Sequence, residues 1–171
     1  MALILAIETG TDICSVALAR NGELIALRES DEERNHAKKI AVFVDELLRE
    51  CGVAADELDA VAVSKGPGSY TGLRVGVSCA KGLCYGAGKP LISVCTLATI
   101  AQLAIDNNLY KGEGDFTIVP MIDARRMEVY TANFNSKGEQ LTPVEAKILD
   151  ETSYAAELAA GPVLFTGNGA E

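Results

Sequence analysis

The sequence predicts an α/β fold built from a repeated unit. Short apolar runs of strand length alternate along the chain with longer stretches of helical period. An order of three strands, a helix and a fourth strand reads twice. In each copy an acid closes the first strand (Glu8, Asp123) and a hairpin glycine follows (Gly22, Gly138). The third observation is Ser64-Lys-Gly-Pro-Gly-Ser-Tyr-Thr-Gly-Leu-Arg-Val-Gly76, where an apolar run enters a glycine-rich turn and leaves as a helix.

Residues 3–7 are a continuous apolar run, and residues 15–19 and 24–27 follow as second and third strands. Asn21-Gly22 between the last two is a strong two-residue hairpin signal. A charged stretch, residues 29–35, leads to a helix over 36–51. Ala37, Ile40, Val44, Leu47, Leu48 and Cys51 share one of its faces, and Gly52 suits the C′ position. Residues 60–63 read as a fourth strand. After the glycine-rich turn a helix runs to the Gly86-Ala-Gly88 breaker, then comes a short strand over 91–94 and a helix from Thr96 to about Asn107. The pattern restarts with strands over 117–122 and 129–134, a turn at Ser136-Lys-Gly-Glu139 and a third strand around 146–149. A short helix over 153–160 and a strand from Val163 complete the copy. Two helices of the first copy have no counterpart before residue 171, so the second copy is expected to continue beyond the sequence in hand.

Composition bounds the function. With 171 residues, 49% of them hydrophobic and 23% charged, the chain has ample core-forming material. No apolar run approaches the roughly 18 residues of a membrane helix. The first residues pass straight into a strand without a basic leader, so a cytoplasmic protein with no membrane association is expected. A net charge of −9 opposes direct nucleic-acid binding, and no basic run exceeds the pairs Lys38-Lys39 and Arg125-Arg126. Five scattered cysteines read as reduced, buried thiols, and Cys79 and Cys84 lack the spacing of a metal site.

Gly66-Pro-Gly-Ser-Tyr-Thr-Gly72 invites a phosphate-cradle reading, because strand, turn and helix aim backbone N–H groups at an anion. It lacks the Gly-Lys-Ser/Thr ending of a P-loop, and Pro67 removes a donor. The competing reading is a sharp strand-to-helix turn with Ser69 or Thr71 as the cap. The helix behind it carries Arg74, Ser78 and Lys81 with Tyr85 on one narrow stripe and is otherwise small or apolar. A helix with a single buried side would have a wider polar arc, so this one is expected to be covered twice. Gly72, Gly76, Ala80 and Gly82 would admit a close helix. Val42 and Phe43 lie off the core stripe of the preceding helix, which leaves surplus apolar surface there too. A helix-to-helix interface with another protein follows as the expectation, with a lid formed by the chain's own continuation as the alternative. Glu8 and Asp123 sit where catalytic carboxylates often do, but the lone histidine, His36, has Lys39 and Ile40 at the spacings a metal helix needs. No catalytic triad can be assembled around it. Arg125-Arg126 reads equally well as an anion contact or as a solvated turn.

Three segments together resemble the bacterial TsaB (YeaZ) family: Ile4-Leu-Ala-Ile-Glu-Thr9 with Cys14-Ser-Val-Ala-Leu18, Gly66-Pro-Gly-Ser-Tyr-Thr-Gly-Leu-Arg74, and Ile122-Asp-Ala-Arg-Arg-Met-Glu-Val-Tyr130. The resemblance implies an actin-like, hexokinase/Hsp70-type (ASKHA) fold of two ribonuclease-H-like lobes, residues 1–110 and the start of a second over 111–171. It implies a non-catalytic scaffold without cofactor or metal in the making of tRNA threonylcarbamoyladenosine. The implied partners are a TsaD-like catalytic subunit and a TsaE-like ATPase, with homodimers through the same surface and tRNA contacted only in the complex. The family's first-lobe helices map onto 36–51 and 71–86. The partner-facing residues are then His36, Val42, Phe43 and Glu46 from the first helix. Tyr70, Leu73, Arg74, Gly76, Val77, Ala80, Lys81 and Cys84 come from the second, with Gly66, Pro67, Gly68, Ser69, Tyr70, Thr71 and Gly72 as the family's motif loop. The alternative is an enzyme in its own right, an actin-fold ATPase or kinase or a glycoprotease-like protein.

Overall fold

The computed structural model describes residues 2–32 and 36–170, the side chains of residues 36 and 37 excepted. Contacts divide the chain into two units, Met1–Val94 and Cys95–Glu171. In the first unit, β1 (Leu3–Glu8), β2 (Cys14–Arg20) and β3 (Glu23–Ser30) form an antiparallel meander. β4 (Ala60–Ser64) and β5 (Leu91–Val94) join it in parallel, giving the order β3-β2-β1-β4-β5. The β2–β3 turn places Asn21 and Gly22 at φ 55° and 86°, as the Asn-Gly pair requires.

Buried and half-buried residues alternate along β1 and β2, so one face of the sheet is closed. Across it Leu5 pairs with Leu18 on one side and Val61 on the other, all fully buried. α1 (His36–Glu50) and α2 (Tyr70–Ala87) cover the sheet and pack against each other. Ile40, Val44, Leu47 and Leu48 of α1 enter the core as their period predicts, and Gly52 takes the left-handed conformation, φ 62°. Ala37 of the predicted face lies outside the described side chains.

The second unit starts with α3 (Thr96–Asp106), followed by β6 (Thr117–Arg125), β7 (Glu128–Thr131), β8 (Phe134–Asn135) and β9 (Glu145–Ile148). α4 (Ala155–Ala160) and β10 (Val163–Thr166) complete it. The sheet order is β10-β6-β7-β9, with β10 parallel to β6 and β8 also paired to β6. The repeat read from the sequence therefore corresponds to matching strand orders, β3-β2-β1-β4 and β9-β7-β6-β10. The division falls after Val94 rather than after residue 110. Leu97, Ala101 and Ala104 of α3 bury against Ile118, Ile122 and Phe134, which ties that helix to the second sheet. The strand expected over 129–134 is interrupted at Ala132-Asn133, where Asn133 turns to Thr142 and Leu141 for its backbone partners. On the sheet's other face Val119, Met121 and Val129 pack with Tyr154. β6 is thus buried on both sides, which explains its unbroken apolar run.

Candidate partner interface

The glycine-rich turn is a packing seam within the first unit. Ser64 ends β4 and Ser69 caps α2, its Oγ accepting from the Gly72 amide at 3.2 Å. Gly66 and Gly68 hold φ 104° and 148°, which L side chains rarely adopt. A Cβ added at Gly68 would overlap the Gly10 carbonyl, one at Gly72 the Thr9 carbonyl, and one at Gly76 the Thr9 hydroxyl. The Ser69 amide donates to the Gly10 carbonyl at 2.7 Å. The glycines therefore let the turn and the first half of α2 lie directly on the β1–β2 turn. This agrees with the structural reading of the motif loop, Gly66 to Gly72.

α2 is covered on two sides, as its narrow polar stripe predicts, but α1 of the same chain supplies the second cover. That corrects part of the expected partner-facing set. Gly76, Ala80 and Cys84 are buried on the sheet side of α2. Phe43 and Val77 are half-buried against the unit's core, and Leu73 is half-buried with its Cδ1 near Gly66. The small-residue row Gly72, Gly76, Ala80 serves close approach to the chain's own strands, not to a foreign helix. Gly82 is exposed.

The exposed members of the set are Val42 and Glu46 on α1, and Tyr70, Arg74 and Lys81 on α2. Tyr70 is 75% exposed, Val42 50% and Tyr85, outside the expected set, 92%. Tyr70, Arg74, Ser78, Lys81 and Tyr85 recur every three or four residues and form the outer stripe of α2. The Arg74 guanidinium lies 5.5 Å from the centre of the Tyr70 ring. The His36 side chain lies outside the described residues. The stripe was legible as a polar arc, but its tyrosines stand out only once the helix's other sides are seen to be filled.

Both strand-end acids hydrogen-bond to the backbone of the turns that follow them. Glu8 Oε1 accepts from the Gly10 amide at 2.5 Å and from the Ser64 hydroxyl at 2.8 Å. Asp123 Oδ1 accepts from the Arg125 amide at 2.7 Å, while its own amide donates to Asn168 Oδ1 at 3.1 Å. Each carboxylate closes the turn that follows it. Arg125, Arg126 and Met127 form a turn with φ of 71°, 59° and 60°, and all three are exposed. The five cysteines are free thiols, and burial pushes those of Cys14, Cys79 and Cys84 above their ordinary pKa. Among the described residues no cluster of three metal-ligating side chains occurs, and no helix is long and apolar enough to cross a membrane.

A family model described as TsaD, tRNA N6-adenosine threonylcarbamoyltransferase, matches residues 28–166. The tRNA threonylcarbamoyladenosine biosynthesis protein TsaB of Haemophilus influenzae is 42% identical over 74% of this chain and 51% of its own length. The protein of the same description from Bacillus subtilis is 35% identical over 96% of this chain and 70% of its own. Against some curated relatives, then, the chain spans only about half their length. Among solved structures, YeaZ from Pseudomonas aeruginosa superposes with a TM-score of 0.76 at 29% identity, covering 98% of this chain and 84% of that one.

Proposed function

The chain belongs to the TsaB family, and from that premise we propose that it is a non-catalytic subunit of the machinery that makes threonylcarbamoyladenosine in tRNA. On this reading it has an actin-like fold of two ribonuclease-H-like lobes. It docks a TsaD-like catalytic subunit through the outer side of α1 and α2, a TsaE-like ATPase joins the pair, and tRNA is met only in that complex. Without the partner, the same surface pairs two copies. The observation that carries the reading is the outer side of the helix pair, where Tyr70 and Tyr85 are 75% and 92% exposed and Val42 is 50% exposed. Tyrosine and arginine beside aliphatic surface make up the residue mix that dominates binding energy at interfaces. The closing of both strand-end acids into their own turns supports the non-catalytic part.

The test mixes the purified chain with a TsaD-like subunit and measures mass by light scattering. A heterodimer is expected, weakened at least tenfold by Val42→Glu with Tyr85→Glu, which change only exposed positions. An undiminished heterodimer refutes the surface, and the absence of any heterodimer refutes the role.

A further inference from the structure

The end of β1 holds a carboxylate, Glu8, on two neutral donors. Among the described residues no basic side chain forms an ion pair with Glu8. One oxygen, Oε1, takes both donors, the Gly10 amide at 2.5 Å and the Ser64 hydroxyl at 2.8 Å. Ser64 is 3% exposed, and its Oγ lies 3.5 Å from the Thr9 amide, from which it accepts. Ser64 Oγ thus accepts from one neighbour and donates to Glu8. Gly10 is buried and fixed from its other end, where its carbonyl accepts from the Ser69 amide at 2.7 Å. The donors are thus set by three separate segments, the β1–β2 turn, the end of β4 and the turn into α2. Preorganised backbone and hydroxyl donors converging on one oxygen are how proteins hold oxyanions without a counter-charge.

We propose that this convergence is an oxyanion seat that the chain fills with its own carboxylate, Glu8, and that a small external carboxylate such as formate binds there when Glu8 is shortened. The seat accounts for why Ser64 and Gly10 are polar groups in a closed environment. Removing the carboxylate strands both donors, and an unpaired buried donor is costly. A free anion of the right size restores the pairing. In the native chain the seat is occupied, so external anions have no access, and the carboxylate works as a clasp joining β1, β4 and the turn that starts α2.

The experiment is chemical rescue followed by thermal unfolding, comparing sodium formate with sodium chloride at equal ionic strength. Glu8→Ala is expected to lower Tm by about 3–6 °C in chloride, and formate is expected to return part of that loss along a saturating curve. The native chain is expected to show no difference between the two salts. Glu8→Gln retains an oxygen acceptor and is expected to lose less and to ignore formate. Ser64→Ala removes a donor and is expected to lose stability without rescue. If Glu8→Ala does not fold in chloride, folding on formate addition, read by circular dichroism, is the same result. A Glu8→Ala chain with native Tm, one unfolded in both salts, or an equal formate effect on native and variant chains overturns the proposal.

Discussion

Gly76→Ala tests whether the small residues of α2 exist for its contact with β1. In an open helix the change would stabilise by about 1 kcal/mol, because alanine is the better helix former. Here the new methyl would overlap Thr9 Oγ1, with Thr9 Cβ and Cγ2 each at 3.2 Å. Rotating Thr9 brings its methyl into the same space, and the residue is fully buried, so the clash must be met by moving α2 or β1. Overpacking of this kind costs about 1–3 kcal/mol, and the upper end applies where two rigid elements must separate. The net expectation is a loss of about 1–2 kcal/mol, or about 2–8 °C in Tm. Thr9→Ala is expected to be close to neutral, since Thr9 Oγ1 has no hydrogen-bond partner among the described residues. The lost methyl burial is then offset by removal of an unpaired hydroxyl. In the double variant the methyl meets only Thr9 Cβ, and most of the helix gain returns. Urea unfolding of the four chains gives the coupling directly, expected at about 2 kcal/mol. Additive effects within about 0.5 kcal/mol would refute the seam and leave the glycines without a packing role.

Two further outcomes concern a buried tyrosine and a half-buried thiol. Tyr154 Oη donates to Thr131 Oγ1 at 3.1 Å and both residues are buried, so Tyr154→Phe is expected to cost about 1–2 kcal/mol in urea unfolding. Pairing it with Thr131→Val, which removes the orphaned partner, is expected to recover most of that loss, and no recovery would contradict the pairing. Burial raises the pKa of Cys79, so the unfolded chain releases that proton first as pH rises. The stability due to this thiol is full below the ordinary thiol pKa and declines above it, through the folded value. The alkaline fall in urea midpoint is therefore expected to be shallower in Cys79→Ala, and identical slopes would count against it.

Regular elements were legible because period and burial coincide. β1 and β2 alternate, α1 repeats Ile40, Val44, Leu47, and Asn21-Gly22 occupies the left-handed turn it encodes. The duplication was legible for the same reason, and it placed β6, β7, β9 and β10 to within a few residues, while β8 was merged into the strand expected over 129–134. The unit to which α3 belongs was not legible. Its apolar face fits either sheet by pattern alone, and only the contact with Ile118 and Ile122 decides it. At the candidate site, the row Gly72, Gly76, Ala80 marks close approach but does not name the neighbour. The neighbour is Thr9 and the strand behind it, so buried Cys84 and half-buried Val77 are removed from the partner-facing surface. The Glu8–Ser64 pair joins residues 56 apart, and no local spacing reveals such a contact.

The proposed docking surface is the outer side of α1 and α2, while the glycine-rich turn serves the fold. The most direct measurement is light scattering of the chain with a TsaD-like subunit, run beside the Val42→Glu, Tyr85→Glu variant at native Tm. A one-to-one complex is expected for the native chain and a mostly dissociated mixture for the variant. A variant that folds normally and still forms the complete complex would rule that surface out.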